Sequence, residues 1–107
     1  MMTETEILGR IGRMSQERLQ VCITRAWVRP AQSSAGHVFD ETDLARLTLI
    51  TELSDDLGVN DDALPLILNL LDEVSTLRRR IRELDQALAE QGPDICEAVI
   101  ARLQERR

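Results

Sequence analysis

The stretch ILGRIGRMSQERLQVCITRAWVRP, residues 7–30, decides the fold. Ser15 is an N-cap by residue type, and Met14 before it with Leu19 at the fourth helical position forms a hydrophobic staple. Leu19, Cys22, Ile23, Ala26 and Trp27 then follow an i, i+3, i+4, i+7, i+8 spacing. This predicts a helix with one apolar stripe that ends before Pro30. Upstream, Ile7, Leu8 and Ile11 predict a helix of about two turns closed at Gly12. Two short helices around a tight turn at Arg13 and Met14 have the layout of a helix-turn-helix.

Downstream, Pro30 to Gly36 has loop chemistry, and His37, Val38 and Phe39 form a short strand, half of a β-hairpin or wing. Asp40 with Asp43 three residues on makes a capping box, and Phe39 with Leu44 a second staple. The helix so opened has Leu44, Leu47, Ile50, Leu53 and Leu57 on its inner face and stops at Gly58. Asn60 or Asp62 opens the next helix, with Asp62 favoured because proline is tolerated in a first turn and Pro65 then falls there.

Along that helix Leu64, Ile67, Leu71 and Val74, then Leu77, Ile81, Leu84 and Leu88, step by three and four in a coiled-coil-like seam with a phase shift near Arg78. About 28 residues at 1.5 Å each give about 40 Å, longer than a globule of this size can cover. The distal half therefore calls for a partner helix, with Leu71, Val74, Leu77, Ile81, Leu84 and Leu88 as the dimer interface. Pro93 starts a last helix carrying Ile95, Cys96, Val99, Ile100 and Leu103, which either folds back on the long one or covers the same seam in a second subunit. The expected fold is all-α with a short β-wing: a winged head over residues 1–60 and a helical dimerisation arm over 61–107.

Composition narrows the function. The chain has 107 residues, one Trp, one Phe and no Tyr, too few aromatics for a single-strand RNA stacking platform. It lacks a run of apolar residues long enough to cross a bilayer, and Glu4 and Glu6 stand where a signal peptide carries basic residues, so a cytoplasmic protein is expected. Cys22 and Cys96 lack metal-ligand spacing and are read as buried thiols. Charge is unevenly distributed: residues 1–30 sum to +2, residues 31–73 to −9 and residues 74–107 to +1. An acidic middle repels phosphate and attracts basic protein surfaces.

The order of these elements resembles the MerR-like superfamily over about residues 5–90. The residues that carry the resemblance are Trp27-Val28-Arg29-Pro30, His37-Val38-Phe39-Asp40, Asp43 to Leu47 and Leu68 to Val74. Within that superfamily the chain is most similar to the chaperone-modulator family typified by CbpM, through Val28-Arg29-Pro30, Val38-Phe39-Asp40, Leu70-Leu71-Asp72 and Leu77-Arg78. His37 stands where that family often has Trp, and Arg29 where it often has Glu. The resemblance implies a protein that binds a J-domain co-chaperone, CbpA-like, and inhibits its stimulation of a DnaK-type chaperone.

The acids available for a basic J-domain helix are Asp40, Glu41, Asp43, Glu52, Asp55, Asp56, Asp61 and Asp62, although Asp40, Asp43, Asp61 and Asp62 also suit helix N-termini. The alternative is a MerR-type, heat-shock-repressor-like transcriptional regulator using Arg18, Arg25 and Arg29 on phosphates. Nucleic acid is the less expected partner, since residues 30–45 contain neither Arg nor Lys. Catalysis is not expected. The single His37 has no nucleophile beside it in a known pattern, adjacent carboxylates point to different helix faces, and neither a cofactor nor a metal motif is present. Trp27 reads as core, and Arg78, Arg79, Arg80 and Arg82 as solvated flanks of the leucine seam.

Overall fold

In the computed structural model, which describes residues 1–106, Thr3 begins the first helix, α1 (Glu4–Ile11), through a capping box with Glu6. Gly12, at φ 80°, closes that helix by donating its N–H to the Leu8 carbonyl. Ser15 caps α2 (Gln16–Thr24) by accepting from the Arg18 N–H, and both staple residues, Met14 and Leu19, are buried. The helix-turn-helix read from residues 7–30 is therefore present.

Its second helix is shorter than the apolar stripe predicts. It ends at Thr24, because Ala26 turns left-handed at φ 58° and the Trp27 N–H reaches back to the Cys22 carbonyl at 2.9 Å. A left-handed alanine costs roughly 1–2 kcal/mol. Here the reversal buries Trp27 and Val28 beneath the helix end instead of carrying them onward along its axis. Trp27 belongs to the core, as its place on the stripe indicated.

The wing consists of β1 (Ala31–Ser33) and β2 (Gly36–Val38), antiparallel with Ser33 opposite Gly36 and Ala31 opposite Val38. The strand expected at 37–39 thus finds its partner inside the stretch read as loop, across a two-residue turn. Ser33 organises that turn, its hydroxyl accepting from the Ala35 N–H and donating to the Gly36 carbonyl. Phe39 follows the strand, and its backbone pairs with Met2 through two hydrogen bonds of 2.8 Å, pinning the N-terminus to the base of the wing.

Asp40 and Asp43 form the predicted capping box of α3 (Glu41–Thr51), which packs against α1 and buries Leu47 and Ile50. After Thr51 the backbone widens into one π-helical turn, Glu52–Asp56. The extra residue in that turn rotates everything after Leu53, so Leu57, expected on the inner face, is 71% exposed and Val59 reaches the core in its place. Gly58, at φ 67°, ends the run as expected.

Asn60, not the favoured Asp62, opens the next helix. Its side chain accepts from the N–H groups of Asp62 and Ala63, and its carbonyl from Leu64, ahead of α4 (Leu64–Ala89). Pro65 then removes one N–H from the ladder. Two compact units result, Met1–Leu68 and Asn69–Arg107. The first is built around Ile7, Leu19, Phe39, Leu47, Ile50 and Leu64, all fully buried. The second contains the rest of α4 and α5 (Pro93–Glu105), which starts with proline at its first position as predicted. Cys22 is buried, but Cys96 is only half-buried, its thiol donating to the Leu88 carbonyl at 3.0 Å across the α4–α5 corner. Among the described residues of the second unit no side chain is buried, so no core encloses that thiol.

Candidate functional site

Two long-range ion pairs tie the helix-turn-helix to the segment from the π-turn to the start of α4. Arg13, in the tight turn, donates both terminal nitrogens to Asp56 at 2.8 and 3.1 Å. Arg18, in the first turn of α2, donates to both oxygens of Asp61 at 2.8 Å and also to the Ser54 hydroxyl at 3.1 Å. Bidentate pairing of this kind fixes geometry as well as charge. The Arg18 guanidinium lies 5.2 Å from the centre of the Trp27 ring and that of Arg25 5.4 Å from it, so two cations share one aromatic face system.

The electrostatics follow from these contacts. The hydrogen bond from Arg13 holds the Asp56 carboxyl below its ordinary range, and that from Arg18 does the same for Asp61. Burial instead pushes Asp43 up, against the opposing pull of the Asp40 N–H. A carboxyl lowered in the folded state stabilises the fold above the unfolded pKa of about 3.9 and loses that contribution as pH falls through its folded value. Asp43 acts in the opposite sense. Asp61→Asn is therefore expected to lower stability at pH 7 by on the order of 1 kcal/mol or less, because the Asp61 side chain is 42% exposed and screened. The same change should flatten the loss of stability as pH falls below about 4, read from urea midpoints at each pH. An unchanged acid slope contradicts the assignment.

The eight acids expected at a partner surface thus divide. Asp40 and Asp43 cap α3, Asp56 and Asp61 bind arginines, and Glu41 lies 3.5 Å from Arg10. Glu52 and Asp55 on the π-turn and Asp62 before α4 are exposed and have no ion-pair partner among the described residues. Asp55 also borders a cleft of about 200 Å³ floored by Thr51 and Ser54 and walled by Arg13, Ser15 and Arg18. The Arg13–Asp56 and Arg18–Asp61 pairs escaped the reading of the sequence. Each spans 43 residues, and local spacing carries no sign of such a pair.

Of the three arginines considered for phosphate contact, Arg18 is engaged by Asp61, Arg25 stacks on Trp27, and Arg29 is exposed beside the wing. The wing strands and their turn, residues 31–38, contain no Arg or Lys. His37 Nδ1 lies 3.4 Å from Glu4 Oε1 and Nε2 lies 2.8 Å from the Gln32 amide nitrogen. With Nδ1 as donor and Nε2 as acceptor, both contacts are satisfied by the neutral ring. Gln20 of α2 donates to the same Glu4 oxygen at 3.2 Å, so this cluster braces the wing against both short helices.

A paired HTH, a two-stranded wing and a long helix in this order find a match in the family of MerR HTH regulatory proteins, over residues 5–86. The chain belongs to that family. The match takes in the winged head of this MerR-type chain from residue 5 onward and most of α4. No curated protein and no solved structure matches it. Among the described residues, no helix is long and apolar enough to cross a membrane.

Proposed function

We propose that this MerR-type chain is a chaperone modulator, a binding protein without catalysis. It binds a J-domain co-chaperone through the acidic edge formed by Glu52, Asp55 and Asp62, and thereby inhibits stimulation of a DnaK-type chaperone. The observation that carries this reading is the internal neutralisation of the helix-turn-helix. Arg13 and Arg18 are held bidentately by carboxylates, and no Arg or Lys occurs between Pro30 and Ala45. A surface so arranged has little to offer a phosphate backbone, whose binding scales with the number of cations it engages. The unpaired acids on the same edge instead suit a basic helix, and the resemblance to the CbpM-like family supplies the kind of basic partner. The protein acts in the cytoplasm as a homodimer joined along the α4 seam.

Titrating the purified protein against a J-domain and against random duplex DNA, each at low and moderate salt, tests this reading. Saturable J-domain binding without DNA binding is expected. Reversing Glu52, Asp55 and Asp62 to Arg together should weaken J-domain binding at least tenfold at low salt while leaving circular dichroism unchanged, because none of the three holds the fold together. Asp56 is unsuitable for this reversal, since it also breaks the Arg13 pair. Salt-sensitive DNA binding with no J-domain binding overturns the proposal and returns Arg25 and Arg29 to consideration as phosphate contacts.

A further inference from the structure

The second unit leaves two apolar stripes open to solvent. On α4, Leu71, Val74 and Leu77 are 39%, 42% and 55% exposed; on α5, Ile100 and Leu103 are 49% and 61% exposed. We propose that α5 docks antiparallel on the stretch of α4 around Leu77 of a second copy of this chain. The inference rests on the dimer reading above and adds to it which surface α5 covers.

Charge and spacing select both the partner and the direction. On α4, Glu73 and Arg80 flank Leu77 and stand seven residues apart, about 10.5 Å along the axis. On α5, Asp94 and Arg102 flank Ala98 and stand eight residues apart, about 12 Å. Laid antiparallel with Ala98 against Leu77, Arg102 falls beside Glu73 and Asp94 beside Arg80. Leu103, on the same side of α5 as Ala98 and Arg102, comes within one position of Leu71 in this register. Parallel docking opposes like charges at both ends. None of these four charged residues has an ion-pair partner among the described residues.

The same chain cannot supply this fit to itself. Only Glu90, Gln91 and Gly92 separate the two helices, so folding α5 back on its own α4 brings Arg102 level with Arg80 and opposes two cations. A three-residue link cannot slide that register by two turns. In a twofold dimer the contact occurs twice, each α5 covering the partner's α4.

The test is the mass of the full-length chain by light scattering across a concentration series. The wild type is expected to dimerise, and Arg102→Glu should raise its dissociation constant about tenfold, because it repels Glu73 at two equivalent sites. Adding Glu73→Arg to that variant should return the constant to within about threefold of wild type, a recovery that follows from the pairing and not from a change in net charge. Both positions are exposed, and an unchanged helical circular dichroism spectrum confirms that the variants fold. A wild type that stays monomeric overturns the dimer reading itself. A dimeric wild type with no effect of Arg102→Glu, or with no recovery in the double variant, overturns the docking of α5 and leaves the dimer standing.

Discussion

Truncating Phe39 to alanine is expected to lower the unfolding free energy of the head by about 3–5 kcal/mol, the range for removing a buried phenylalanine. A unit of this size is stabilised by roughly 3–10 kcal/mol in all, so the loss is a large fraction of the total. The effect is large because the Phe39 ring is fully buried in the core of the head, between the base of the wing and the cap of α3. Urea unfolding followed through Trp27 fluorescence reports on the head, where the only Trp is buried. Phe39→Leu, which keeps most of the volume, should cost less than about 1.5 kcal/mol. A loss under about 1 kcal/mol for the alanine variant contradicts the central place given to this ring.

Placing a charge in the α4 seam should have the second large effect. Leu84 is 68% exposed and Leu77 55% exposed in the single chain, so Leu77→Asp or Leu84→Asp leaves the fold of one chain intact. In the proposed homodimer the same position is enclosed by a partner helix, and an unpaired carboxylate buried there costs about 3–5 kcal/mol. That corresponds to a loss of dimer affinity of at least about a hundredfold. The mass by light scattering should fall to that of the single 12.1 kDa chain at micromolar concentration, with helical content retained. An unchanged mass removes the seam from the interface.

How much was legible in advance differs by element. Ser15, the Asp40–Asp43 box, Gly12, Gly58 and Pro93 each act where the sequence indicates, because a cap needs only a residue type and a neighbour three positions away. The misreadings arise where packing competes with a local rule. The stripe from Leu19 to Trp27 is periodic through Ala26, yet the helix stops at Thr24, because burying Trp27 and Val28 outweighs a left-handed alanine. Leu57 satisfies helical spacing in the sequence but faces solvent after a π-turn that shifts the phase. The acidic bias of residues 31–73 was visible as a count; which acids are engaged was not.

By itself, the sequence determined the helical class, the helix-turn-helix and wing order, the caps of α2 and α3 and the leucine spacing of α4, because these depend on residue types at fixed short intervals. The tertiary structure alone decided that Arg13 meets Asp56 and Arg18 meets Asp61, that Asn60 opens α4, and that Glu52, Asp55 and Asp62 remain exposed without ion-pair partners. Those outcomes depend on segments 43 residues apart being brought within 3 Å by the packing of α3 on α1 and the burial of Leu64. Charge pairing follows distance in space, and only the fold sets that distance.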